Sequence, residues 1–160
     1  FKNSKWSPKQ KKINKILLNE KKIKIHHPQT YKNYFKKIKV NSNKIHNLLT
    51  KLKNKNKKIF AMGASTKGNV ILQMCNADSK IITAIYDVNP FKFGRFTPGT
   101  KILIKDEREI YKDKPDYIFL LIWHFKKTLK IKFKKLKSYN FKYIWPFPEL
   151  KISKPSSNAK

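Results

Sequence analysis

Between Gly63 and Asn69 the chain reads Gly-Ala-Ser-Thr-Lys-Gly-Asn. Glycines let a backbone approach a ligand closely, and the free N–H groups of a helix start attract anions. Ser65, Thr66 and Lys67 add hydroxyl donors and a positive charge beside those groups. The chemistry implied is a cradle for phosphate. The competing reading is a tight strand-to-helix turn with an N-cap. The stretch is not a Walker A loop, which needs Gly-Lys-Ser/Thr after a four-residue gap, and it is not a full G-x-G-x-x-G. Asp87 follows about twenty residues beyond this loop, where dinucleotide folds place an acid on a ribose hydroxyl. It equally suits an Asp that caps the turn before Asn89-Pro90. A third cluster, Trp123-His124-Phe125, brings a group able to donate to phosphate or carry a proton, or simply a histidine packed between two aromatics. His26, His27 and His46 fall on polar or connecting positions, and with one cysteine, Cys75, the chain offers little for a metal.

Elements must bring these residues together. "KKIFAM", "IITAIYD", "KILI", "DYIFLLIW" and "FKYIWPF" read as five strands. "TKGNVILQMC", the acid-started "DEREIYK" and the basic amphipathic "KKTLKIKFKKLKSY" read as helices between them, the last with Leu129, Phe133 and Leu136 on one face. This alternation predicts an α/β fold, a Rossmann-like doubly wound parallel sheet with both faces covered. Ligands of such sheets bind at the carboxyl ends of the strands, so the three clusters are expected to converge there. Ahead of the sheet lies a long helix, with apolar Tyr31, Phe35, Ile38, Ile45, Leu49 and Leu52 on one stripe and Thr30 as its N-cap. Residues 12–25 read as a shorter helix and connector, broken at Pro28. The tail, 151–160, reads as disordered.

The chain has 160 residues and a net charge of +30, from 39 Lys+Arg against 9 Asp+Glu. Charge alone suggests a polyanion partner. Only Arg95 and Arg108 are arginine, however, and Lys, Asn and Ile are all encoded by A/T-rich codons. Base-specific readers favour arginine for bidentate contacts. The expectation is therefore salt-sensitive sticking to polyanions and no specific nucleic acid. No apolar run reaches the length of a membrane span, so no membrane partner is expected. A single cysteine suits a reducing, cytoplasmic compartment. The first residue is Phe1, so the beginning is not read as a natural terminus.

"GASTKGNVILQ", "DVNPFKFGRFTPGT", "PDYIFLLIWHF" and "WPFPE" occur in an order and spacing that resemble the C-terminal domain of S-adenosylmethionine-dependent nucleotide-sugar C-methyltransferases. The resemblance spans Thr30 to about Leu150, and "KILLNEKKIKIHHPQTYKNYF" resembles the segment joining that domain to the family's middle domain. It implies a division into 1–29, the end of or linker from an upstream methyltransferase domain; 30–150, the Rossmann-like domain; and the tail. It also implies that the zinc of a small N-terminal domain, the S-adenosylmethionine site and the catalytic base all belong upstream. No catalytic residue is then expected in this chain, with His124 as a candidate auxiliary group. The implied partners are a nucleoside diphosphate-sugar and the protein's own upstream domain. In the whole enzyme a base would remove the proton next to a keto group, and the enolate would take the methyl group.

Carried over by position, the resemblance implies three substrate-facing loops: Gly63, Ala64, Ser65, Lys67, Gly68 and Asn69; then Asn89, Phe93, Gly94 and the turn Thr97-Pro98-Gly99-Thr100; then Trp123, His124 and Phe125, to which the reading of the residues themselves adds Thr66, Asp87 and Arg95 as substrate-binding candidates. Lys67 and Arg95 suit the phosphates, and Phe93 or Trp123 the base. Ser65-Thr66 stands where sugar-modifying members often have Pro-Ala, and Leu103 and Ile122 replace prolines. The rival classes are a free-standing nucleotide or NAD module and a lysine-rich nucleic-acid binder.

Overall fold

A computed structural model describes residues 9–125, 128–129, 131 and 140–154. The chain divides into two compact units, Phe1–Lys39 and Val40–Lys160.

In the first unit, α1 (Gln10–Lys22) buries none of its residues, and Ile16, Leu17 and Leu18 are exposed. The second helix, α2, runs Pro28–Asn54 and so begins in this unit and ends in the next. It starts at Pro28, two residues before the expected cap, because proline's fixed φ suits the first helical position. Thr30 is therefore inside the first turn rather than N-capping it, and its hydroxyl donates to the Lys24 carbonyl at 2.9 Å. Tyr31 and Phe35 of the predicted stripe are exposed.

The second unit is a six-stranded sheet in the order β3-β2-β1-β4-β5-β6. Its strands are β1 (Ile59–Met62), β2 (Ile85–Asp87), β3 (Ile104–Asp106), β4 (Tyr117–Leu120), β5 (Lys142–Trp145) and β6 (Lys151–Ser153). The first five are mutually parallel and β6 is antiparallel to β5. The order reverses between β1 and β4, which makes that gap the switch point of the sheet. Residues alternate across the pleat into two cores. Ile59, Ala61, Phe119 and Leu121 pack with Ile45, Leu49 and Leu52 of α2 and with Ile71 and Leu72 of α3 (Thr66–Met74). Phe60, Met62, Ile118 and Leu120 pack on the other face with Ile110 of α4 (Ile110–Asp113), Leu129, Phe141 and Tyr143. Burial on both faces explains why these strands read as unbroken apolar runs.

Two expectations need correction. Lys151–Ser153, placed in a disordered tail, form the edge strand β6, anchored where Trp145 Nε1 donates to Ser153 Oγ at 3.0 Å. The third strand is Ile104–Asp106 rather than 101–104. Residues 94–103 instead make a hairpin: Phe96 bridges Leu103 antiparallel, and Thr97 N donates to the Ile102 carbonyl at 3.0 Å. No crossover helix covers this connection. Of the basic helix expected over 126–139, Thr128, Leu129 and Ile131 are helical and Leu129 is buried, while Phe133 and Leu136 lie outside the described residues.

Candidate substrate site at the switch point

The glycine loop leaves β1 at Met62 and enters α3 within four residues. Gly63 has φ +93°, a conformation costly for any L side chain. A Cβ there would overlap Ile122 Cγ2 and stand 3.1 Å from Cγ1 and 3.2 Å from Cβ of the same residue. A Cβ on Gly68 would stand 3.0 Å from both the Gly63 carbonyl and Leu121 Cβ. The two glycines thus give room to protein: they let the start of α3 press against the end of β4. Ser65 is the N-cap, its Oγ accepting from Gly68 N at 3.1 Å, and Asn69 N donates to the Ser65 carbonyl at 2.9 Å. The first-turn N–H groups of Thr66 and Lys67 are left with no acceptor among the described residues. Both side chains are exposed, and Asn69 Oδ1 is buried without a partner among the described residues.

At the end of β2, Asp87 is buried, at 8% exposure. Its Oδ2 accepts from Ala64 N at 2.8 Å and from Lys92 Nζ at 3.2 Å, and its Oδ1 accepts from Asn89 N at 2.9 Å. Of the two sequence-based roles, the geometry is that of the turn-capping Asp. Asn89 caps in its turn, accepting from Phe91 N at 3.1 Å and starting the 3-10 turn Pro90–Lys92. Lys92, which no sequence argument singled out, reaches back to the Ala64 carbonyl at 2.8 Å. Its signal was drowned by 39 Lys+Arg. Phe93 ends the turn half-buried, and Arg95 is exposed beside it.

The third cluster follows β4 as a 3-10 turn, Trp123–Phe125. It sits beside the glycine loop through Ile122. Trp123 packs inward, 5.3 Å from the Phe147 ring, while His124 and Phe125 are exposed with their rings 4.4 Å apart. Phe147, from the end of β5, also escaped the sequence argument as a neighbour of this cluster.

The turn Thr97-Pro98-Gly99-Thr100 does not join them. Gln73 Nε2, near the end of α3, donates to the Pro98 carbonyl at 3.5 Å, and Ser79 N donates to the Thr100 carbonyl at 3.1 Å. Gln73 and Ser79 both lie at the amino ends of the strands, where α3 finishes and the chain turns back into β2. The hairpin therefore carries Pro98, Gly99 and Thr100 toward the amino ends of the strands. Thr97 and Thr100 are buried there and bonded hydroxyl to hydroxyl at 2.7 Å, which makes the turn a structural clasp.

Beneath the loops, Gly63 N donates to the Tyr86 carbonyl at 2.8 Å. The Tyr86 hydroxyl donates to Asp113 Oδ2 at 2.9 Å, and Asp113 is paired with Lys105 at 2.7 Å. Burial, reinforced by Asp113, pushes the Tyr86 phenol well above its ordinary range. Lys105 is held charged by Asp113 and Glu109 against the opposing effect of burial. Cys75 is buried and its thiol is pushed up to about 11 by desolvation, so it is not a nucleophile for this site.

Asp87 thus accepts from Ala64, Asn89 and Lys92 together, and the Cβ positions of Gly63 and Gly68 are taken up by Ile122 and Leu121. No helix among the described residues is long and apolar enough to cross a membrane.

Comparison with known proteins agrees with the sequence resemblance. The profile of the C-methyltransferase C-terminal domain matches residues 2–148, and the chain belongs to that family. It is also similar to C-methyltransferase NovU of Streptomyces niveus, 28% identical over 96 residues. That stretch is 60% of this chain and 23% of NovU, so the match spans under a quarter of the relative.

Proposed function

We propose that this chain is the substrate-holding domain of an S-adenosylmethionine-dependent C-methyltransferase that acts on a nucleotide-linked keto sugar. The observation that carries the proposal is the convergence at the β1/β4 switch point. The unpaired N–H groups of Thr66 and Lys67, the Lys67 ammonium and the exposed His124–Phe125 pair lie on the two loops that flank it. Two N–H groups at a helix start and a lysine suit a diphosphate. An exposed aromatic on the neighbouring loop suits a base or sugar face. Arg95, Asn89 and Phe93, on the loop after β2, are assigned to the same substrate. The methyl donor, the catalytic base and the zinc site belong to the remainder of the full-length enzyme, which is the partner of this domain and works in the cytoplasm. His124 is an auxiliary donor to the substrate.

Amide exchange tests this directly. Adding a nucleoside diphosphate-sugar should slow exchange at Thr66 and Lys67, where S-adenosylmethionine leaves both unchanged. Protection confined to other segments would refute the assignment.

A further inference from the structure

We propose that Lys92 is a positioning residue for substrate binding: with Asp87 it forms a clamp on Ala64 that sets the direction of the first turn of α3. The proposal rests on the substrate-holding function given above and adds a residue to it.

Ala64 is gripped at both ends of its backbone. Its N–H donates to Asp87 Oδ2 at 2.8 Å and its carbonyl accepts from Lys92 Nζ at 2.8 Å. The clamp closes because Lys92 also meets Asp87 Oδ2 at 3.2 Å. Lysine can do this because its ammonium carries three donors on a flexible stem. The chain is bent to deliver it: Asp87 Oδ1 takes Asn89 N and Asn89 Oδ1 takes Phe91 N, two successive caps that curl residues 87–92 back over β1. Ala64 immediately precedes the N-cap Ser65. The peptide joining them therefore orients the cap, and with it the N–H groups of Thr66 and Lys67.

The gripped atoms belong to the ligand loop, and Lys92 itself is part of neither apolar core. Without the ammonium, Asp87 keeps a buried charge and the Ala64 carbonyl loses its partner. The strand-to-helix turn then rests on Gly63 N to the Tyr86 carbonyl, Ala64 N to Asp87 Oδ2 and Ser65 N to the Gly63 carbonyl. The last of these holds the peptide that enters the helix by its N–H alone, and its carbonyl side is left free to tilt.

The test is titration of UDP and TDP, at physiological ionic strength, into the full chain and its variants, each shown folded by its melting curve. Lys92→Met should weaken binding of the preferred nucleotide about tenfold, and Asp87→Asn should do the same, because both release one clamp. The double variant should bind no more weakly than the weaker single one. Lys92→Arg, which can still bridge two oxygens, should bind within about threefold of wild type. Equal affinity of Lys92→Met and wild type would overturn the clamp while leaving the substrate-holding function intact. So would losses that multiply in the double variant, since the lysine would then act on the ligand independently of Asp87. Failure of wild type to bind either nucleotide would overturn the function itself, and the clamp with it.

Discussion

Replacing Gly63 by alanine should destabilise the domain by an amount that splits into two separable parts. The first is conformational: at φ +93° a Cβ crowds the following carbonyl, which costs about 1–2 kcal/mol. The second is steric: the new methyl would overlap Ile122 Cγ2, with Ile122 Cβ only 3.2 Å away. Rotating the isoleucine side chain can move Cγ2 but not Cβ, so some shift of the β4 end is forced, an overpacking cost of about 1–3 kcal/mol. Together they give about 2–5 kcal/mol, within the stability of an ordinary domain. Urea unfolding of wild type, Gly63→Ala, Ile122→Ala and the double variant measures both. The midpoint should fall with the slope unchanged. On the Ile122→Ala background, which removes Cγ1 and Cγ2 but keeps Cβ, the same glycine substitution should cost less than in wild type and no less than the conformational part, about 1–2 kcal/mol. A loss below about 0.5 kcal/mol in the single variant, the level of an ordinary surface change, would refute the close packing of the glycine loop on β4. An unchanged loss on the second background would refute Ile122 as the obstacle.

Ser65 separates folding from binding. Ser65→Ala should cost about 1 kcal/mol through the lost cap on Gly68 N. Ser65→Asp should keep the cap and the stability, yet repel a diphosphate, so nucleotide affinity should fall at unchanged melting temperature; equal affinity would argue against an anion at this helix start. Burial raises the Cys75 pKa from 9.0 to about 11. The folded chain keeps the proton that the unfolded chain loses, so this group lowers stability as pH rises from 9 to 11, by up to about 3 kcal/mol. Chemical denaturation of wild type and Cys75→Ala across that range should show the wild type falling more steeply, and parallel curves would contradict the burial.

The sheet was legible because its strands are short apolar runs between turn signals, and period and spacing alone place β1, β4 and β5. The switch point follows from the parallel order, and so the pairing of the Gly63 loop with Trp123–Phe125 was within reach of pattern reading. The 88–103 connection was not. Its Gly and Pro content announces a loop, but nothing local says that residues 94–97 run antiparallel to 102–104 and carry Thr97–Thr100 toward the amino ends of the strands. β6 was missed because "KIS" is too short and too polar at Lys151 to signal a strand, and its pairing with β5 is a tertiary choice. Asp87 was legible as a turn cap, and the structure shows that role. What the sequence did not show is that its other oxygen ties Ala64 to Lys92. Lys92 itself was invisible: in a chain this rich in lysine, residue type carries no information, and only the 2.8 Å contact with Ala64 sets it apart.

Calorimetric titration of the chain at moderate salt, with a nucleoside diphosphate-sugar, S-adenosylmethionine and NAD in parallel, tests the central claim most directly. The account predicts saturable binding of the nucleotide-sugar alone, and a marked loss of that binding in Lys67→Ala at nearly unchanged stability. Preference for NAD or S-adenosylmethionine, or full nucleotide-sugar affinity in Lys67→Ala, would contradict it.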